Sequence, residues 1–344
     1  MFIISKPGFK RNTIVVLFSL LLVYVSFATV CRSGFLHEKV RIIVEKELSE
    51  SFRREITVGN LRGNLLRTVI LESVLISDGE TLNDGVLLNI PILEVKLSIL
   101  TAVIRRDFLA GIKTVLIKDS FLNFVRQENE HWNLLDFVIP PPLPEGAPPP
   151  PPLSFTGKII VKNLTGVFID KRGWSIRPAT SFFQQPLSAV NGVLDFKDIY
   201  SAYFDLKGVI SEKSPIRFKG HLNATNAQFN FQVEAEALES LPWGAYLFPL
   251  EGFVLSDDMF SIQGSLISKD PFPKKGIPFF YDFYFNVNQL TFKLPFFPTP
   301  FDRIQGKLRV YNTSDMLLEF VEANGHMSDI SVAAKGLINI SQNT

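Results

Sequence analysis

Cysteine occurs once in 344 residues, so neither an intramolecular disulfide framework nor a multi-cysteine metal cluster can form. Histidine is almost as scarce. His37, His131, His221 and His326 form no HxxH pair and have no cysteine nearby, so metal-ligand spacing is missing. An excess of either charge is missing too: 35 Lys+Arg stand against 34 Asp+Glu, a formal net charge of +1. That balance argues against gripping nucleic-acid phosphates, which takes a concentrated positive surface. The chain has no GxxxxGK[ST] loop, no GxGxxG and no GxSxG elbow, so phosphate cradling and elbow-type hydrolysis lack their usual signs. The carboxylates Glu234/Glu236 and Asp257/Asp258 fall where a wet strand face or a turn puts them. Nothing reads as an active site, and the expectation is a protein that is not an enzyme and holds no cofactor. Tyr and Trp are few, 7 and 3, beside 32 Phe. Stacking platforms and interfaces favour rings with a polar handle, so bare Phe points to a large dry surface.

What is present begins with an uncharged run, TIVVLFSLLLVYVSFATV, from Thr13 to Val30. At 1.5 Å per residue it just spans a hydrocarbon core of roughly 30 Å. Lys6, Lys10 and Arg11 precede it, which keeps the N-terminus cytoplasmic and exports the remainder. Ser26-Phe27-Ala28 also fits a signal-peptidase site, but the apolar run is longer than a usual signal core, favouring an uncleaved anchor. Next, Val40, Ile43, Val44, Leu48 and Phe52 form one stripe of an amphipathic helix, Val40–Phe52. The period then changes to two. Strands are expected at Val69–Ile76, at Leu87–Leu97 with a break at Pro91, and at Ile112–Val125, with a short helix over Ser98–Phe108.

Residues 140–152, PPPLPEGAPPPPP, form an extended polyproline linker or surface strap. The tract matches PxxP, but the anchor places it outside the compartment where modules that read PxxP work. Beyond Leu153 the chain alternates almost throughout, as in Phe229, Phe231 and Val233 against Asn230, Gln232 and Glu234. This predicts an antiparallel all-β region with one wet face. Strands of about ten residues with their turns would number some 18 and build a ladder on the order of 90 Å. A glycine recurs on the apolar face at Gly157, Gly192, Gly208, Gly220, Gly252, Gly264, Gly306 and Gly336. Inward glycines that bend each strand would turn the sheet into a trough; scattered bulges in a β-sandwich would give the same spacing.

The anchor, the helix and ITVGNLRGNLLRTVILESVLISD (Ile56–Asp78) resemble the N-terminus of AsmA-like proteins. LEVKLSILTAVI (Leu93–Ile104), Phe121–Arg126 and His131-Trp132-Asn133-Leu134-Leu135 extend the resemblance, which is to the TamB-type subunit of the translocation and assembly module. AVNGVLDF (Ala189–Phe196) and RIQGKLRV (Arg303–Val310) are similar to that family's strand repeat. The resemblance implies a mainly β fold: a transmembrane helix and short amphipathic helix, then an elongated antiparallel β-groove, or β-taco. It divides the chain into a tip and anchor (1–34), an α+β AsmA/chorein-like region (35–139), the linker (140–152) and the groove (153–344). It also implies a bacterial inner-membrane protein with its bulk in the periplasm. Its groove would carry phospholipid acyl chains toward the outer membrane, with an outer-membrane β-barrel as partner. The lining expected from alternation is Leu194, Phe196, Phe204, Phe218, Phe229, Phe231, Phe260, Phe283, Phe285, Leu308 and Ile338. The other class that alternation allows is a closed β-sandwich or barrel, acting as an envelope scaffold or a secretion or assembly factor without lipid transport.

Overall fold

A computed structural model describes residues 34–65, 67–98, 101, 109–128, 132–134, 155–171, 183–198, 201–223, 228–239, 243, 259–268, 279–292, 299–312 and 316–339. The expected anchor, the proline tract and nearly all of the expected helix Ser98–Phe108 lie outside these residues. Among the described residues no helix is long and apolar enough to cross a membrane.

Helix α1 (Gly34–Phe52) is followed by β1 (Ile56–Asn64), β2 (Thr68–Ser77), β3 (Val86–Leu97), β4 (Ile112–Lys118) and β5 (Phe121–Arg126). Then come β6 (Lys158–Asp170), β7 (Phe183–Asp198), β8 (Ser201–Ile210), β9 (Ser214–Asn223) and β10 (Gln228–Glu239). The last are β11 (Met259–Ser268), β12 (Phe279–Phe292), β13 (Phe301–Asn312), β14 (Met316–Met327) and β15 (Ile330–Asn339). All belong to one sheet whose neighbours run in sequence order from β1 to β15, with β5 set between β3 and β6. β1 pairs only with β2 and β15 only with β14, so no described pairing closes the sheet into a barrel.

Four expectations change. The sheet is mixed, because β4 and β5 both run parallel to β6. A parallel link needs a crossover of about a dozen residues or more, and 127–157, with the proline tract inside it, supplies one. The strand expected over Ile112–Val125 is interrupted between β4 and β5. Asp119 there has φ 51 and Asn163 of the adjacent β6 has φ 53, and Asn163 Nδ2 donates to Asp119 Oδ1 at 2.7 Å, so the two strands kink together. Pro91 does not break β3. It falls in the interval between the β4 pairing, which ends at Ile92–Lys118, and the β5 pairing, which starts at Asn89–Phe121, and the β2 pairing passes over it from Glu72–Ile92 to Val74–Ile90, opposite Ser73 with φ 53. Finally, the segment Lys158–Asn339 holds ten described strands of 10 to 16 residues, not 18 of about ten. Nine spacings at about 4.8 Å make about 43 Å of ladder there, and the whole path makes about 60 Å.

The apolar stripe of α1 packs as its period predicts, with Val40, Val44, Leu48 and Phe52 against Ile56, Val58, Leu71 and Val74; Ile43 is the exception, at 58% exposed. The same helix covers the outer edge of β1. Arg41 Nη1 donates to the Val58 carbonyl at 2.8 Å, and the Ser49 hydroxyl accepts the Ile56 N–H at 3.0 Å. A second core lies along β8–β14, around Ile262, Phe285, Leu308 and Phe320.

Candidate functional site: an apolar face shared by ten strands

The register brings every expected lining residue to one face of the sheet. Leu194 stands opposite Phe204, Phe204 opposite Gly220, and Gly220 opposite Phe231. One step along the strands, Phe196 faces Ala202 and Phe229 faces Leu222. One step the other way, Phe218 faces Val233, Val233 faces Gly264, Gly264 faces Phe283, Phe283 faces Val310, Val310 faces Leu318, and Leu318 faces Ile338. Phe285 and Leu308 pair in the next row and Phe260 pairs with Val287 beyond it. Cross-strand partners share a face and residues two apart return to it, so the apolar set is continuous.

Burial is graded across this face. Phe285 and Leu308 are 3% exposed, whereas Leu194, Phe196, Phe204, Phe229, Phe231 and Phe283 are half-buried and Phe218 is exposed. The deepest rows lie beside a band of register shifts. These fall between Val161 and Leu164, Ser188 and Asn191, Ala235 and Leu238, Val287 and Leu290, and Asp302 and Gln305. Each brackets a non-glycine residue with positive φ: Asn163, Ala189, Ala237, Gln289 or Arg303. Such bulges bend the strands that carry them.

Gly192, Gly208, Gly306 and Gly336 lie beside register shifts, whereas Gly220 and Gly264 stand apart from them. Gly220 sits in two pairings that run through without a register shift, and Gly264 is separated from the shift between Ala235 and Leu238 by the Ala235–Ile262 pair. They are recesses. The Phe204 and Phe231 rings meet across Gly220 with centroids 5.1 Å apart at 69°, and a Cβ at Gly220 would meet the Asn230 carbonyl and the Phe231 Cα. At Gly264 the Phe283 ring fills the space, and at Gly192 the Asp205 carbonyl does. Gly208 faces Val190, and Gly306, with φ 148, lies against the Glu322 carbonyl. Gly157 precedes β6, Gly252 lies outside the described residues, and a Cβ at Gly336 would meet nothing within 4 Å.

The reverse face is wet and paired. Arg217 clasps Asp205 at 2.9 and 2.7 Å, holding that carboxyl below its usual range through the hydrogen bond. Arg309 clasps Asp282 at 2.8 Å twice and reaches Glu319 at 3.3 Å, which pushes the guanidinium up. Arg309 also lies 4.3 Å from the Tyr311 ring centroid. On the apolar face, burial pushes the Tyr281 phenol up.

Sequence reasoning missed one cluster. At the far ends of β5–β7, Trp132 stacks on Phe124 (4.8 Å) and Phe168 (5.8 Å); Phe168 meets Phe183, and Phe183 meets Trp243 at 5.0 Å. Arg126 lies 5.2 Å over Trp132 and 3.6 Å from Asp170, which is fully buried. Asn133 ties the segment down, donating to Asp78 Oδ1 and the Asn123 carbonyl at 2.7 and 2.8 Å. The Trp132-Asn133 pair was the available signal; the long separation between these residues concealed their meeting. Among the described residues no group of three His, Cys, Asp or Glu side chains is placed to hold a metal. Neither a protein-family model nor a curated protein matches this chain.

Proposed function

We propose that the chain is a membrane-anchored conduit whose apolar face carries phospholipid acyl chains between an inner and an outer bacterial membrane. The observation that supports this most is the continuous Phe-rich face over β7–β14, whose outer rows keep their rings half-buried instead of sealing them. Rings left in that state offer apolar surface to a guest. Each methylene laid on them gains about 0.8 kcal/mol, so a tail is held without any residue recognising the head group. Apolar rings without polar anchors also give shallow wells, which suit sliding. A groove needs bent strands, and the bulge band supplies bends; in this reading the most buried rows beside it are the floor. In this reading Thr13–Val30 is the single-pass anchor, the bulk of the chain is periplasmic, and an outer-membrane β-barrel receives the lipid. The protein performs no chemistry of its own.

A second reading has one observation behind it. Phe285 and Leu308 at 3% exposed are as dry as the core of a closed sandwich scaffold. Mass spectrometry of lipids carried through purification of the full chain separates the two. Several phospholipids per chain are expected of the conduit, and a lipid-free chain would reject it.

A further inference from the structure

Helix α1 carries a second set of apolar side chains. Val40, Val44, Leu48 and Phe52 turn toward the sheet, yet Ile42 and Ile43 are 53% and 58% exposed. At about 100° per residue the two isoleucines point away from the packed stripe, one on each side of a line through Lys39 and Lys46. Both lysines are exposed. Neither packing nor helix propensity accounts for isoleucine here, since Lys, Glu or Ala would suit a solvated helix position better. The carboxylates around them are engaged or set aside. Glu38 and Glu45 hold Arg41 at 2.7 and 2.6 Å, Glu50 pairs with Lys46 at 3.7 Å, and Glu47 lies exposed at the flank.

The sequence before α1 sets what this face meets. In the anchor reading the span ends at Val30 and α1 opens at Gly34, four residue steps on. Four steps reach about 14 Å at full extension. The headgroup layer is roughly 5–7 Å thick, so α1 opens within that layer or just above it. Ile42 and Ile43 come about 12–14 Å further along the helix. They stay near the bilayer only where the helix axis runs along its surface. The sheet holds the inner face of α1, so the face left for the bilayer is the one with two isoleucines between two lysines.

We propose that the outer face of α1 docks on the bilayer in which Thr13–Val30 is anchored. Ile42 and Ile43 enter the boundary between head groups and acyl chains, and Lys39 and Lys46 extend to anionic lipid phosphates. The inference rests on the anchor of the proposed function and adds an orientation to it. Arg41 and Ser49 fix α1 along the edge of β1, so the sheet begins at the bilayer with β1.

The test uses the full chain with Cys31→Ser, given one new cysteine at a time and labelled with a fluorophore. The chain sits in nanodiscs of phosphatidylethanolamine and anionic phosphatidylglycerol, with nitroxide lipids as quenchers. A label at Ile43→Cys should be quenched several-fold more than one at Tyr203→Cys, which is exposed on the wet face. Leu22→Cys reports the anchor by itself. Lys39→Glu with Lys46→Glu should lower the ratio of docked to undocked helix about tenfold or more in these discs. The same pair should change nothing in discs of phosphatidylcholine. Quenching at 22 without quenching at 43 would overturn the proposal and leave the anchor standing. Quenching at neither would remove the anchor and the proposal together. A label at 43 shielded from aqueous iodide but untouched by nitroxide lipid would give the face to a protein instead, and a charge variant that docks like the parent would also overturn the proposal.

Discussion

Gly220 and Gly336 occupy equivalent places in strands of similar sequence, yet a methyl group meets opposite surroundings at the two. At Gly220 it would run into the Asn230 carbonyl and the Phe231 Cα, and it would part the Phe204 and Phe231 rings. Gly220→Ala should cost about 1–3 kcal/mol in urea unfolding, as other overpacking does. Gly336→Ala meets open space at an ordinary φ and should stay within about 0.5 kcal/mol of the parent. Equal costs at both positions would mean that the recess is not what selects glycine. The eight glycines were legible as a pattern on the apolar face, but their purpose was not. A glycine under two rings and a glycine at a bend leave the same trace in a sequence, and only the cross-strand partner tells them apart. The positive φ values at the register shifts belong to Asn163, Ala189, Ala237, Gln289 and Arg303, and of these only the asparagine is a residue type that favours such a conformation.

Alternation and helical period located most elements because each is set by burial of one face. Val40, Val44, Leu48 and Phe52 were readable for that reason, and Ile43 misled because it lies at the stripe's margin. Pairing was harder. Nothing in Ile112–Arg126 announces that β6 will lie parallel to it, since direction depends on the length of a distant crossover. Edge protection was also invisible, because it depends on Arg41 and Ser49 reaching a strand that lies beyond the helix end. The Ser49 hydroxyl accepts the N–H of Ile56, a residue only 2% exposed. Ser49→Ala strands that amide without water or partner, so it should destabilise the chain by about 1–3 kcal/mol. Ser49→Thr keeps the oxygen and should recover most of the loss. Amide exchange at Ile56 gives a local reading: it should speed up in the Ala variant and recover in the Thr variant. Unchanged exchange in Ser49→Ala would show that the edge is held by other contacts.

At the scale of the molecule, one sheet presents a dry face and a wet face along about 60 Å of ladder, and the dry face is not uniform. Its buried rows support the fold, while its half-buried rows remain available to a guest. That division makes two Phe→Asp substitutions behave differently under the conduit reading. Phe285 is 3% exposed and packed in the core with Ile262 and Leu308, so a carboxylate there is an unpaired buried charge. Phe285→Asp should unfold the β8–β14 region or cost more than about 4 kcal/mol, and it therefore says nothing about transport. Phe231 is half-buried beside Phe204 and Phe229 (ring centroids 5.1 and 4.7 Å apart), so an Asp there can reach water while remaining on the path. Phe231→Asp should keep its β-sheet circular dichroism and lose its co-purifying phospholipid, because tails sliding over that row must desolvate a charge. Phe231→Leu keeps the row apolar and should retain lipid. If Phe231→Asp folds and still carries the parent's lipid, the tails lie elsewhere and this face is not their path. If neither parent nor Phe231→Leu carries lipid, the half-buried rings serve a scaffold.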